Sequence, residues 1–318
     1  MNIQNSFLSI GWKGKVLKIE RFLQEMKEVI PWEKLSQEIR PYYQEAATGR
    51  KLKALDFMLK IYCLQQWYGL SDPGCEEAIY DRGSFQRFLG IDLISEEVPD
   101  ETTILNFRHL LEEHGLASKL FERINRYLQE KGLMMKKGTI VDATLIAAAK
   151  STKNVDGKRD PEMSSSRKAN NWHFGMKAHL GVDAQSGLVH SVETTTGRVH
   201  DKGMIDQLLN GQEKAVFGDK GYASDSDKIH ARQSGLYWGV LDKAKRGHKL
   251  SASQHQHNRK LASVRAKVEH CFQVIKCQWH YVKARYRGLK KNTTQLRMLF
   301  ALANLYRVRR QLQKFQPV

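Results

Sequence analysis

Three acidic residues, each in a different local setting, are the strongest candidates for chemistry in this chain. Asp142 lies within the apolar run 140–144, and Asp219 directly follows the apolar run 215–218. Both runs have the length and the composition of buried strands. Glu269 instead lies in a segment with helical periodicity. Carboxylates on a sheet and on an adjoining helix can bind divalent cations together, which is what metal-assisted phosphoryl transfer requires.

The number of carboxylates is enough for a site with two metal ions. Phosphodiester cleavage needs a nucleophile on one side of phosphorus and a stabilised leaving oxygen on the other, and two cations about 3.5–4 Å apart supply both effects. Mg²⁺ keeps several water ligands and needs few protein ligands. We therefore predict that Asp142, Asp219 and Glu269 hold two Mg²⁺ ions, for which Mn²⁺ would substitute.

The charge balance indicates a polyanionic partner. The chain has 318 residues, and its 52 Lys and Arg against 34 Asp and Glu give a formal net charge of +18. A charge of this size favours nucleic acid over a basic surface that serves solubility or membrane contact. No apolar stretch approaches the length of a membrane span, and the start of the chain does not resemble a signal peptide. The four cysteines lack C-x-x-C spacing, which predicts reduced thiols in a cytoplasmic protein and no zinc site.

The hydrophobic period changes near residue 135. Before it, helical spacing recurs, and Ser71 and Asp100 are predicted N-caps of two helices. After it, we predict strands over 138–145, 175–182, 188–194, 215–218 and 236–241, and helices over 200–209, 259–279 and 293–312. We therefore predict an all-helical domain over 1–135, for DNA binding or oligomerisation, and an α/β catalytic domain over 136–318 that ends in a helix.

Two polar segments, 150–171 and 242–260, carry many cations and no core-forming pattern, so we predict loops for both. Their usual role is a solvated surface, but each adjoins a candidate catalytic carboxylate. His255 and His257 lack an acid or a thiol at ligand spacing and are interpreted as part of the second loop. The candidate phosphate contacts outside the helix of Glu269 are Lys220, Lys243, Lys245 and Arg246.

The predicted helix around Glu269 has an apolar stripe with a charged edge. At about 100° per residue, Arg265, Glu269 and Lys276 lie within about 40° of one another, and Val268 and Phe272 lie on the neighbouring arc. Packing that stripe on the sheet would set Glu269 between two cations that bind DNA. The alternative is a surface pair between Arg265 and Glu269, worth roughly 0.2–0.5 kcal/mol.

Six segments, in this order and spacing, resemble the DDE transposases of bacterial insertion sequences, in the IS-five family of the broader IS-four group. They are 140–144 (IVDAT), 172–179 (WHFGMKAH), 199–201 (VHD), 218–222 (GDKGY), 265–269 (RAKVE) and 285–289 (RYRGL). Upstream, 64–72 and 107–108 also resemble the family's N-terminal region. The resemblance implies an RNase H-like core in which Asp142, Asp219 and Glu269 are catalytic, and its signature includes Arg265 and Lys276. The Tyr of that signature is replaced by Ala262 here.

The resemblance implies a transposase that binds the terminal inverted repeats of its element, cleaves the ends and joins the 3′-hydroxyls to target DNA. It also implies an oligomer, a dimer in the simplest case, because two ends must be brought together in the bacterial cytoplasm. Two alternatives stay open, namely a nuclease with the same core and no strand transfer, and a non-enzymatic DNA-binding protein derived from a transposase. The short interval between Asp219 and Glu269 gives no support for a hairpin intermediate.

Three further features have two interpretations each. Trp172 either stacks on a base or packs in the core, with packing favoured. His200 and Asp201 either form an element of the family or only begin a helix. The N-terminal helices either contain a helix-turn-helix or form a plain helical bundle.

Overall fold

The computed structural model describes residues 15–43, 52–155, 157–168, 170–245 and 247–315. Backbone contacts divide the chain into two compact units, one of Met1–Leu116 with Leu305–Val318 and the other of Ala117–Asn304. The last helix of the chain contributes residues to both units. None of the described helices combines the length and the apolar character that a membrane span requires.

The first unit is helical in its described residues, as predicted. Ser71 caps its fourth helix by accepting a hydrogen bond from the Gly74 N–H (3.1 Å), and Asp100 caps its sixth through the Thr103 N–H (2.7 Å), both as predicted. The helices are α1 (Lys18–Val29), α2 (Trp32–Ile39), α3 (Leu55–Tyr68), α4 (Asp72–Asp81), α5 (Gly83–Leu89) and α6 (Glu101–Glu113).

A buried ionic network joins three of these helices. Arg108 of α6 pairs with Asp72 of α4 (2.9 Å) and with Glu112 one turn further on (2.8 Å). Gln65 of α3 donates to the same Asp72 carboxylate (2.6 Å). Burial would raise the pKa of Asp72, but the hydrogen bonds from Arg108 and Gln65 outweigh it and lower the pKa. Two of the upstream segments that resemble the transposase family, 64–72 and 107–108, thus meet in a structural contact.

The second unit begins with α7 (Leu116–Glu130) and is built on one mixed sheet. Its strands are β1 (Gly138–Ala147), β2 (Ser164–Lys168), β3 (Asn171–Asp183), β4 (Val189–Thr196), β5 (Ala215–Gly218) and β6 (Tyr237–Val240). The order is β2-β3-β1-β5-β6, and β4 pairs with a later part of β3 than β2 does. Strand β1 runs antiparallel to β3 and parallel to β5. This is the α/β arrangement predicted for residues after 136.

Helices lie between and after the strands. They are α8 (Ile205–Leu208), preceded by a 3₁₀ turn over Asp201–Met204, then α9 (Asp225–Gln233), α10 (Ala252–Gln273), a π turn over Val274–Gln278, and α11 (Leu289–Gln313). A hydrophobic core packs around β5. It includes Val141, Val216, Leu208, Tyr222 and Val240. Burying such side chains stabilises the fold by about 1.5–3 kcal/mol each. This packing holds β1 in place at Val141, directly before Asp142, and β5 at Val216.

Two predictions for the polar segments were wrong. Segment 150–171 contains β2, which pairs through its backbone with the first residues of β3; its serines and cations carry no hydrophobic alternation to reveal a strand. Segment 242–260 is helical from Ala252, where Ser251 and Gln254 form a capping box. The first turns of α10 are largely exposed, so apolar periodicity starts only further along the helix. His255 and His257 therefore lie on a helix and not in a loop.

Candidate active site

Asp142 is a polar residue in the middle of β1. Its side chain is 14% exposed, and its Oδ1 accepts a hydrogen bond from the Ala143 N–H (2.8 Å). Its Oδ2 lies 3.4 Å from a guanidinium nitrogen of Arg265 on α10. The strand's apolar neighbours, Val141 and Ile140, are completely buried, so the strand is fixed and the carboxylate is held at one position.

Asp219 directly follows β5, the strand that pairs in parallel with β1. The last pair of that register sets Ile140 beside Phe217, two residues before Asp142 and Asp219 respectively. Neighbouring strands are about 4.7–4.9 Å apart. The Asp219 Oδ1 accepts a hydrogen bond from the Gly221 N–H (2.7 Å), which fixes the carboxylate at the end of the strand.

Glu269 reaches the same cleft from α10. Val268 and Cys271 of this helix are buried, and the Cys271 thiol donates to the Gly187 carbonyl oxygen (3.1 Å). Glu269 itself is exposed on the edge of the helix. Together with Asp142 and Asp219 it lines one cleft, whose wall also includes Arg265 and Asp201. The three carboxylates predicted from sequence are therefore brought together.

The site favours the neutral form of Asp142. Burial raises the pKa of this carboxyl to about 6; the Ala143 N–H and Arg265 lower it, whereas the negative charges of Asp219 and Glu269 raise it. Two neighbouring carboxylates thus contribute repulsion that a bound cation would relieve. Four carboxylates and three cationic side chains line the cleft, in a chain of net charge +18.

The donor set of the cleft suits a hard divalent cation. Carboxylate oxygens are the ligands that Mg²⁺ prefers, and water completes its coordination. In the described ranges, no three His, Cys, Asp or Glu side chains lie close enough to hold a single ion. The fit with Mg²⁺ therefore rests on the chemistry of Asp142, Asp219 and Glu269 and on their common cleft.

Arg265 lies at the site, but with a partner other than the one the helix alone suggested. Its ion pair is with Asp142 on β1 and not the surface pair with Glu269. Its Nε is buried and has no hydrogen-bond partner among the described residues. A buried guanidinium that uses only part of its donor set can take up further acceptors, such as phosphate oxygens.

Lys276 is placed by the π turn that follows α10. Its Nζ donates to the Thr144 hydroxyl (2.6 Å) and to the Leu145 carbonyl oxygen (3.0 Å), both on β1. A wheel with α-helical spacing does not apply beyond Gln273, because the backbone there turns more widely. Lys276 consequently supports the strand just after Asp142, at the wall of the cleft.

The other predicted DNA contacts lie outside the described wall of the cleft. Lys220 and Lys243 are exposed, and Lys245 is paired with Asp225 (2.9 Å). Arg246 lies outside the described residues. Their contact with DNA stays a prediction.

The cleft contains a fourth carboxylate, Asp201, which the sequence analysis did not place among the candidate site residues. Asp201 lines the wall and accepts a hydrogen bond from Lys177 of β3 (2.9 Å). Beside it, burial lowers the pKa of His179 to about 4, so the imidazole is neutral near pH 7. The signals were present in the segments 172–179 and 199–201, but the start of a helix explained Asp201 equally well.

Trp172 does not pack in the core, so the favoured interpretation was wrong. Its side chain is 66% exposed at the start of β3. Its partner in the register is Arg167 of β2, and Arg167 lines the cleft with its neighbour Ser166. An exposed aromatic ring beside a cation is suited to stacking on a base.

The sheet order, with β1 in the middle and carboxylates at β1, at the end of β5 and on a covering helix, defines an RNase H-like core. The family model described as "Transposase DDE domain" matches residues 134–305, and "Transposase domain (DUF772)" matches residues 13–110. The chain belongs to the DDE transposase family.

Two solved structures are similar to this chain. A piggyBac transposase synaptic complex with hairpin DNA has 11% sequence identity, covers 96% of this chain and 77% of its own, and has a TM-score of 0.47. A Mos1 transposase paired-end complex with the left transposon end has 12% identity, covers 76% of this chain and 83% of its own, and has a TM-score of 0.20.

Proposed function

We propose that this transposase binds the terminal inverted repeats of an insertion sequence of the IS-five family, cleaves the ends by hydrolysis and joins the 3′-hydroxyls to target DNA. The observation that carries the proposal is the common cleft of Asp142, Asp219 and Glu269, with Asp142 on β1 and Asp219 directly after its parallel neighbour β5. The net charge of +18 supports double-stranded DNA as the partner.

The carboxylates have distinct tasks in this proposal. Asp142 and Asp219 hold two Mg²⁺ ions and Glu269 completes the site. When bound, the ions activate the attacking oxygen and stabilise the leaving oxygen. Asp142 is ready for this task only when it is ionised, and its pKa of about 6 means that the ionised form predominates above about pH 6. Ala143 and Gly221 keep both aspartates oriented through their backbone N–H groups.

Two cationic side chains, Arg265 and Lys276, hold DNA at the site. Arg265 donates to the Asp142 Oδ2, and its buried Nε has no hydrogen-bond partner among the described residues. The guanidinium therefore has a donor left for a phosphate beside the scissile bond. Lys276 supports β1 and lies next to the path of the substrate.

The helical region is assigned a second task. We propose that a domain over residues 1–135 contributes to DNA binding or to oligomerisation, and that a catalytic domain covers 136–318. The protein acts as an oligomer, a dimer in the simplest case, because two ends must be joined to one target.

The test is to incubate the protein with the DNA that flanks its own gene, with and without Mg²⁺, and to map the breaks. Metal-dependent breaks at the repeat ends are expected, together with joining of pre-cleaved ends to a plasmid. Breaks without joining would support the nuclease with the same core. Binding without breaks would support the non-enzymatic alternative.

A further inference from the structure

A cluster of exposed cations lies beyond the end of β1, outside the cleft and apart from the DNA contacts predicted above. The members are Lys283, Arg285, Arg287, Lys290 and Lys291, which we call the basic turn. All five residues are exposed. Within the described ranges, the side chains of Lys283, Arg285, Lys290 and Lys291 form no ion pair. The turn therefore presents positive charge that the fold itself does not neutralise.

The backbone of the basic turn is held rigidly. Lys283 forms a β-bridge with Ala147, and the Ala284 N–H donates to the Ala147 carbonyl oxygen (2.7 Å). The buried amide of Asn292 donates to the carbonyl oxygens of Tyr286 and Gly288, each at 2.7 Å. The cations are thus carried by an ordered scaffold that is attached to the end of β1.

Two acids adjoin the turn, but both bind backbone. Asp160 accepts from the Gly288 N–H and Glu162 from the Leu289 N–H, each at 2.7 Å. They satisfy donors at the start of α11, where negative charge is favourable. Lys290 and Lys291 lie in the first turn of the same helix, where positive charge opposes the helix dipole. Lysines at the N-terminus of a helix do not stabilise the fold, and such unfavourable placements are typical of functional surfaces.

The position of the turn follows from the strand that it extends. Leu145 lines the cleft, and Ala147, the partner of Lys283, is two residues further on. At about 3.3 Å per residue, the turn begins about 17 Å along β1 from Asp142. B-DNA advances about 3.4 Å per base pair, so this length corresponds to about five base pairs.

We propose that the basic turn binds the phosphate backbone of duplex DNA about five base pairs from the phosphate that lies at the carboxylates. The assignment rests on the proposed function for the position of the scissile phosphate. The contact is assigned to phosphate because the exposed groups are cations. It therefore contributes affinity and register but no sequence preference.

The first test uses a DNA duplex of about 30 bp with an arbitrary sequence. It measures how the affinity of the intact chain for this duplex depends on the salt concentration. The variant Lys283→Gln, Arg285→Gln, Lys290→Gln is compared with Lys137→Gln, Lys214→Gln, Arg232→Gln. The control removes the same charge from exposed residues, two of which lie beside the opposite end of β1. The slope of log K against log salt should become shallower by about 2–3 in the first variant and by less than about 1 in the control. Equal changes in the two variants would overturn the proposal.

The second test locates the contact. Single phosphates are ethylated in a duplex that carries the end of the element. Ethylation about five base pairs from the mapped nick should interfere with binding. This interference should disappear in the basic-turn variant and persist in the control variant. Interference that persists in the variant would also overturn the proposal. If the wild type binds but never nicks with Mg²⁺, the proposed function fails, whereas the salt slopes still decide whether the turn binds DNA. Should the triple variant unfold, Lys283→Gln and Arg285→Gln singly should each change the slope by about 0.9.

Discussion

Asp142 directly follows three completely buried residues of β1, Thr139 to Val141, and an ionised carboxylate there lowers the stability of the fold. Its raised pKa reports this cost directly, because the folded protein holds the proton more tightly than the unfolded chain. The same environment makes the carboxylate a strong ligand for a cation. Function and stability therefore make opposite demands on this residue.

Asp142→Asn should stabilise the protein at pH 7.5. The folded-state pKa of about 6 is above the ordinary 3.8, so the carboxyl destabilises the fold progressively as pH rises from about 4 to about 6. The gain from the neutral amide is at most about 3 kcal/mol at pH 7.5, and it should largely vanish near pH 4. Thermal unfolding at both pH values measures it. Asp206→Asn, at an exposed position of α8, is the control, and an equal gain at pH 4 and 7.5 would contradict the explanation.

Removing any one carboxylate of the site should abolish cleavage. Asp142→Ala, Asp219→Ala and Glu269→Gln each delete a predicted metal ligand, and the rate should fall by more than about 100-fold, since even groups that only orient ligands contribute about 10–100-fold. DNA binding should survive. Mapping of nicks with Mg²⁺ and a gel-shift assay measure the two properties. An Asp219→Ala protein that cleaves at the normal rate would show that the assignment is wrong.

At the scale of elements, α10 combines a packing face with a chemical edge. Val268 is completely buried, whereas Glu269, the next residue, is exposed in the cleft. The π turn over Val274–Gln278 then redirects the chain, so that Lys276 reaches β1. One continuous element thus joins the sheet, the carboxylate site and the support of β1.

Variants of α10 should separate packing from chemistry. Val268→Asp buries an unpaired charge and should cost more than about 4 kcal/mol, enough to unfold the domain. Arg265→Ala should impair cleavage or joining and leave the fold intact, and Lys276→Ala should cost about 1 kcal/mol through its lost hydrogen bonds. Thermal unfolding and strand-transfer assays of all three are the measurements. If Arg265→Ala unfolds the protein as Val268→Asp does, Arg265 is a structural residue.

At the scale of the whole molecule, the net charge of +18 coexists with a cleft that is lined by four carboxylates. Positive charge outside the cleft attracts DNA, and carboxylates within it attract cations. The two fields favour different ligands at different positions, so DNA affinity and metal affinity can be varied separately by mutation.

The affinity for DNA should fall steeply with salt. If about six phosphates are contacted, log K should decrease by about 5 for each tenfold rise in salt. Lys243→Gln should make this slope shallower by more than Lys245→Gln, because Asp225 already neutralises Lys245. Titration at several salt concentrations measures the slopes. A slope that neither variant alters would show that this segment is only solvated.

The sequence by itself predicted most of the elements and the three carboxylates that share the cleft. Strand β1 was recognisable because its apolar run is local, and the caps Ser71 and Asp100 because their role depends on the next three residues. The hairpin of β3 and β4 was predicted from its alternation and its turn. Strand β2 was missed because its residues are polar and its pairing partner supplies only backbone contacts.

Only the tertiary structure decided how these parts meet. The parallel pairing of β1 and β5 brings Asp142 and Asp219 to one cleft, and no local pattern specifies the pairing of strands that are distant in the chain. Arg265 binds Asp142 instead of Glu269 because packing on the sheet brings a nearer acceptor than the helix offers. Asp201 lies in the cleft, where it accepts a hydrogen bond from Lys177 of β3. Each of these contacts joins residues that are distant in sequence, so it depends on how helices and strands pack and not on the period of any one of them.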